Sequence, residues 1–179
     1  MNNVIEYRKG SDTDIPAFLS FFKSTLPSLF SHYSPNTAHF YVEVDYGPKW
    51  LSERLKKGGK KTYLAFHDDE IVGYILVSKS ITGVSFADWL GVNKEYQKRG
   101  IATQLLQLWE EAALEEGAHA LHLWTTENNV AFYIKKGFTN GGLFPKAWNS
   151  EDCYLIYKTL RKPEEKNFLR EYLAQKKKA

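Results

Sequence analysis

Leu90-Gly91-Val92-Asn93-Lys94-Glu95-Tyr96-Gln97-Lys98-Arg99-Gly100-Ile101-Ala102 is the stretch on which the reading of this chain turns. An apolar strand, expected from about Val84 to Val92, runs through a loop with cations and a glycine into an amphipathic helix. That helix places Ile101, Leu105, Leu108, Trp109 and Ala112 on one stripe. A helix N-terminus carries unpaired N–H groups and about half a positive charge. With Gly100 allowing close backbone approach and Lys98 and Arg99 adding charge, the junction suits a phosphate or pyrophosphate. A glycine at such a junction is also common without any ligand. The stretch is no P-loop and lacks the three spaced glycines of the dinucleotide fingerprint.

Outward from that stretch, the hydrophobic period changes along the chain. Val4 to Lys9 reads as a short strand. Ser11-Asp12-Thr13-Asp14 reads as a helix start, with Ile15, Phe18, Leu19, Phe22 and Leu26 at helical spacing and Pro27 expected to break or kink the helix. Residues 31–48 resist assignment. A second helix is expected from Pro48 to Lys57, ended by Gly58-Gly59. Thr62 to Phe66 and Ile71 to Val77 read as a hairpin. After the helix at Ile101 come a strand from Ala118 to Thr125 and a short helix from Glu127 to Lys136, ending at Gly137. One or two last strands follow, the clearest being Cys153 to Lys158. Pro163 starts a final polar helix, docked through Phe168, Leu169, Tyr172 and Leu173, that ends in Lys176-Lys177-Lys178-Ala179. The expected fold is α/β: a mixed, mostly antiparallel sheet of about six or seven strands flanked by helices. The expected organisation is one domain over residues 1–160 with a polar helix and lysine tail over 161–179.

Composition narrows the function classes. The 179 residues are 43% hydrophobic and 25% charged, as in a soluble globular protein. A net charge of +3 falls short of the basic face a nucleic-acid binder needs. No apolar run approaches the ~18 residues of a membrane span, and Met1 to Tyr7 lacks the pattern of a signal peptide. Neither nucleic acid nor membrane is therefore expected as a partner, and the expected location is cytoplasmic. The single cysteine, Cys153, excludes an intramolecular disulfide and reads as a buried, inert thiol. Aromatic residues make up 15% of the chain. They are either a core of large rings or the walls of a pocket.

Gln97-Lys98-Arg99-Gly100-Ile101-Ala102 resembles the Gln/Arg-x-x-Gly-x-Gly/Ala signature of the GNAT superfamily of acyl-CoA-dependent N-acetyltransferases. Glu127-Asn128-Asn129-Val130-Ala131-Phe132-Tyr133-Ile134-Lys135-Lys136-Gly137-Phe138 resembles that superfamily's second signature, an Asn followed by Phe-Tyr-x-x-x-Gly-Phe. The resemblance in element order spans about residues 3 to 160.

The resemblance implies acetyl-CoA as co-substrate, direct transfer of acetyl to a primary amine in a ternary complex, and no metal. The backbone N–H groups of Gln97, Lys98, Arg99, Gly100, Ile101 and Ala102 would hold the pyrophosphate. Leu90, Gly91 and Val92 would offer main-chain groups to the pantetheine arm, in a gap where this strand splays from the next, Leu121 to Trp124. An N–H near Leu90 or Val92 would stabilise the oxyanion. Asn128 or Asn129 would bond the pantetheine amides, and Phe132 and Lys136 belong to the same cofactor-binding segment. Tyr133 would protonate the departing thiolate, the alternative being a packed core tyrosine. The superfamily's Asn usually stands where this chain has Thr126.

The general base does not carry over, since Phe86 holds the position of the Glu some members use. Asp88, an acid in an apolar strand, ranks first by placement and His122 second. The acceptor is expected to be a small-molecule or peptide amine. Phe21, Phe22, Phe30, His32, Tyr33, Phe40 and Tyr41 are pocket or core. A second reading is a CoA-binding regulatory module without catalysis. Monomer and homodimer both stay open.

Overall fold

The computed structural model describes residues 4–177. Lys178 and Ala179, and Met1 to Asn3, lie outside the described residues. In chain order the elements are β1 (Glu6–Lys9), α1 (Ile15–Leu29), α2 (Pro35–Phe40), α3 (Pro48–Lys56), β2 (Lys60–His67), β3 (Glu70–Ser78), β4 (Val84–Val92), α4 (Ile101–Glu115), β5 (Ala120–Thr125), α5 (Glu127–Ile134), β6 (Thr139–Phe144), β7 (Cys153–Thr159), α6 (Glu165–Phe168) and α7 (Arg170–Lys176). The strands form one seven-stranded sheet in the order β1-β2-β3-β4-β5-β7-β6. β4 and β5 are parallel, joined by the α4 crossover, while β1–β2, β5–β7 and β6–β7 are antiparallel. The mixed, mostly antiparallel sheet flanked by helices is the architecture the sequence led us to expect.

The chain divides into two compact units, residues 4–77 with 89–108 and residues 78–88 with 109–177. The division cuts through β4 and α4. In the first unit, the one-turn 3-10 helix Asp12–Asp14 that leads into α1 starts at a capping box: Ser11 N–H donates to Asp14 Oδ2 at 2.7 Å. Arg8 grips the same carboxylate with two N–H groups at 2.6 and 2.8 Å. Ile15, Phe18, Phe22 and Leu26 then fall on the buried side of α1. Phe18, Phe22 and Leu26 pack with Leu51, Leu64, Tyr74, Leu76 and Trp89 into an aromatic-rich core.

In the second unit β5 is clamped along its length by β7, with Leu123 opposite Ile156 and Trp124 opposite Leu155. Trp109, fully buried, donates its indole N–H to Ser85 Oγ at 2.8 Å. β6 is exposed along its whole length and carries a bulge between Asn140 and Gly142.

Several expectations need correction. α1 passes through Pro27 and ends only at Leu29. Proline so close to a C-terminus removes a hydrogen bond in the last turn alone, which a helix end tolerates. The unassigned region holds α2 and a single π turn, Tyr41–Asp45. The buried stripe of α4 is Ile101, Leu105, Leu106, Trp109 and Ala113, while Leu108 and Ala112 are half-buried. The final helix is two short pieces, α6 and α7, broken at Leu169. Phe168, Leu169 and Leu173 are half-buried as expected, but Tyr172 is 51% exposed. Among the described residues no helix is long and apolar enough to cross a membrane.

Candidate active site

The first unit builds the turn between β4 and α4 from side-chain ties. Asn93 N–H donates to Val72 O at 2.9 Å, pinning the strand end to β3. Asn93 Oδ1 accepts from Glu95 N–H at 3.2 Å, capping the one-turn 3-10 helix Lys94–Tyr96. Gln97 Nε2 donates to Val92 O at 3.1 Å, drawing the signature loop against the strand. Tyr96 Oη and His67 Nδ1 share a hydrogen bond at 3.0 Å, and the Arg99 guanidinium lies 5.0 Å over the Tyr96 ring. Gln97, Lys98, Arg99 and Gly100 are exposed, Ala102 is half-buried and Ile101 anchors the helix start in the core.

Two backbone angles make this turn a receptor. Lys98 at φ 62 and Gly100 at φ 85 are both left-handed. A Cβ at Gly100 would meet nothing within 4 Å, so the volume in front of that backbone is open. The first N–H groups of α4 have no intrahelical acceptor and carry the positive end of its dipole. With Lys98 and Arg99 beside them, the arrangement suits a pyrophosphate such as that of an acyl-CoA.

Gly91 serves a different need. A Cβ there would come within 2.6 Å of Tyr74 Cε1 and 2.9 Å of Leu29 Cδ1. Core packing thus demands this glycine whether or not a ligand binds. Leu90 is half-buried and Val92 buried beside it.

The second unit holds the other expected residues. Along the start of β4, Val84, Ser85 and Phe86 stand opposite Ala120, Leu121 and His122 of β5. Phe86 stacks on the His122 ring at 4.8 Å. Asp88 Oδ2 accepts from Ser78 Oγ at 3.0 Å, which explains how an acid resides in this strand. Burial holds the His122 imidazole below its ordinary pKa, against a smaller opposing pull from the Asp88 charge. Burial thus biases His122 toward the neutral imidazole.

On α5, Asn128 and Asn129 are exposed in the first turn. Phe132 and Lys136 are half-buried, with the Lys136 ammonium 5.9 Å from the Phe132 ring. Tyr133 is only 7% exposed and meets the rings of Phe132 at 5.1 Å and Phe138 at 5.7 Å. Burial pushes its phenol well above the ordinary range, so it stays protonated. Gly137 at φ 82 closes the helix, and Phe138 N–H returns to Tyr133 O at 3.2 Å. The Gly-Phe pair of the second signature thus builds the turn that seats Tyr133. Cys153 is half-buried rather than buried as expected, and its thiol is raised chiefly by burial.

Sequence reasoning passed over three sets of residues. His67, twenty-nine positions from Tyr96, carries no local signal of its tether. Ser78, just past the expected hairpin strand Ile71 to Val77, carries no local signal that it meets Asp88. Trp89 read as an ordinary strand residue beside the acid, yet the rings of Phe22, Phe30, Tyr33, Tyr41 and Tyr46 all pack against it. Of the expected pocket aromatics, Phe22 is core. Phe21, Phe30, Tyr33 and Tyr41 are half-buried, and His32 and Phe40 are exposed.

The chain is 28% identical over 92 residues to streptothricin acetyltransferase A of Bacillus subtilis (strain 168), covering 50% of this chain and 53% of that protein. It is 28% identical over 101 residues to the streptothricin acetyltransferase of Escherichia coli, covering 55% of this chain and 58% of that one. The chain thus spans little more than half the length of these curated relatives. Its fold is similar to that of the PaiA N-acetyltransferase of Thermoplasma acidophilum, solved in complex with coenzyme A. That match has a TM-score of 0.72 at 20% identity, over 87% of this chain and 99% of that one. The model of the Acetyltransferase (GNAT) family matches residues 25–138, which is more than half of the sequence and includes both signatures. The chain belongs to the acetyltransferase (GNAT) family.

Proposed function

We propose that this protein is an N-acetyltransferase that moves acetyl from acetyl-CoA to a primary amine, with residues 1–160 as the transferase domain and 161–179 as an appended helix and tail. The observation that carries the reading is the turn at Gln97 to Ala102, where a left-handed glycine, open space and a helix N-terminus coincide. Acetyl-CoA, when bound, supplies an activated thioester. The N–H groups from Gln97 to Ala102 hold its pyrophosphate, and the Lys98 and Arg99 side chains add charge. Leu90, Gly91 and Val92 present main-chain groups to the pantetheine arm and thioester carbonyl. Asn128 or Asn129, with Phe132 and Lys136, serves the cofactor from the second signature.

Proton traffic is divided between two residues. Asp88, held by Ser78, accepts the proton released by the attacking amine, directly or through water, with His122 within range of its charge. Tyr133, kept protonated by burial, donates to the departing thiolate. No similar observation favours the regulatory reading, because Tyr133 and its supporting turn are intact.

The test is release of free CoA thiol with a panel of primary amines that includes streptothricin, the substrate named for the two curated relatives. Amine-dependent release is expected. Tyr133→Phe should lower turnover by about 10² while leaving acetyl-CoA affinity unchanged, as for loss of a general acid. Wild-type turnover in that variant would remove Tyr133 from the chemistry.

A further inference from the structure

The acceptor follows from what surrounds Trp89. The rings of Phe30, Tyr41, Tyr46 and Tyr33 have centroids 4.8, 5.1, 5.6 and 6.4 Å from it, each inclined at 76–83° to the indole. Trp89 is 8% exposed, and among the described residues its Nε1–H has no hydrogen-bond partner. Tyr74, wholly buried, likewise has an unpartnered hydroxyl, and Phe22 touches both rings at 5.7 and 6.0 Å. An unpaired buried donor is costly and rare, and calls for a reason.

Phe30, Tyr33, Tyr41 and Tyr46 are half-buried rather than core. Tyr41 and Tyr46 are set by the π turn, which closes from Tyr46 N–H to Tyr41 O at 2.8 Å and brings their rings to 6.5 Å. Single π turns inside helical segments recur at functional sites, because they re-aim side chains. Trp89 also directly precedes Leu90 to Val92.

We propose that the rings around Trp89 form the acceptor subsite, and that it takes an arylalkylamine whose aromatic ring carries an oxygen able to accept from Trp89 Nε1–H. This rests on the transferase reading above. The flat, apolar walls select an aromatic body. A linear polycation would want carboxylates, and residues 15–50 supply only Glu43 and Asp45. Glu43 is already ion-paired with Lys23. Trp89 Nε1 is covered in this structure, so the acceptor reaches it by displacing half-buried Phe30 and Tyr33, which flank the turn between α1 and α2.

Tyramine and phenethylamine differ by one ring hydroxyl and therefore read the indole N–H. Their dissociation constants and KM values are measured with the full chain, beside spermidine, with the thermal shift given by acetyl-CoA as control. Wild type should prefer tyramine over phenethylamine by about three- to ten-fold, the worth of one hydrogen bond, and both over spermidine. Trp89→Phe should erase the preference between the aryl amines and leave the acetyl-CoA shift intact. Should that variant fail to fold, Phe30→Ala serves instead: it should weaken both aryl amines and leave spermidine unchanged. Equal affinities in wild type, spermidine ahead, or no aryl amine bound while the acetyl-CoA shift stands would each overturn the proposal. Loss of the acetyl-CoA shift in wild type would overturn the transferase reading beneath it.

Discussion

Gly91 and Gly100 stand nine residues apart, and the structure gives them opposite reasons to be glycine. At Gly91→Ala the new methyl meets Tyr74 at 2.6 and 2.9 Å and Leu29 at 2.9 Å. Tyr74 is wholly buried and gripped by Phe18, Phe21 and Phe22, so it cannot yield freely. Overpacking of this kind costs about 1–3 kcal/mol. For a chain of this size that lowers Tm by about 2–12 °C. At Gly100→Asn nothing lies within 4 Å, and only the left-handed φ of 85 is demanding. Asparagine adopts that conformation more readily than other side-chain-bearing residues, so the cost is about 0.5 kcal/mol and Tm falls by one or two degrees.

Ligand response should reverse the order. Acetyl-CoA at 100 times its dissociation constant stabilises by about 2.7 kcal/mol, an upward shift of about 5–10 °C. Gly91→Ala should keep that shift, because its defect lies in the core. Gly100→Asn should lose it, because its side chain fills the phosphate volume. Thermal unfolding of both variants, with and without acetyl-CoA, reads all four numbers. A Gly100→Asn protein that shifts like wild type would refute the placement of the cofactor. A Gly91→Ala protein as stable as wild type would refute the packing argument.

Other consequences can be checked as directly. Tyr96 should act as the platform for Arg99: Tyr96→Leu and Arg99→Ala should each weaken acetyl-CoA binding, and the double variant should be little worse than either, in a calorimetric double-mutant cycle. Additive losses would mean the two residues act independently. The Arg8 ion pair and the Ser11 contacts hold the Asp14 carboxyl far below its ordinary 3.8. Its stabilisation is fully present above that pH and is lost on further acidification. Asp14→Asn should therefore lower Tm at pH 7 and flatten the fall in Tm below about pH 4. An unchanged acid profile would show that the contact contributes nothing. A Cβ at Gly117 would run into the Asn167 carbonyl, so Gly117→Ala should undock α6 and speed tryptic cleavage at Arg161 and Lys166 without altering acetyl-CoA binding. Unchanged cleavage would place the tail elsewhere in solution.

What could be read from the sequence was what repeats or is locally encoded. The continuous apolar run of Ile71 to Val77, buried throughout, and the 3.6-residue period beginning at Ile101 report burial directly, and both elements formed. The left-handed glycine at a strand-to-helix junction announced itself through Gly100 and its cations. The Gly137-Phe138 turn announced itself through its family pattern. Long-range contacts were not legible. Nothing near His67 says that it meets Tyr96, and nothing near Ser78 says that it will hold Asp88. Gly91 was read for its main-chain groups alone; its packing role was hidden, because its neighbours Tyr74 and Leu29 come from other elements. The π turn at Tyr41 was hidden for another reason. Tyr41-Val42-Glu43-Val44-Asp45 has an alternating, strand-like pattern, and the core contacts of Val42 override it.

Calorimetric titration of the purified chain with acetyl-CoA tests the central claim most directly. Saturable binding at one site per chain is expected, weakened by salt and abolished by Gly100→Asn. No heat of binding at millimolar acetyl-CoA, or binding that Gly100→Asn leaves untouched, would contradict it.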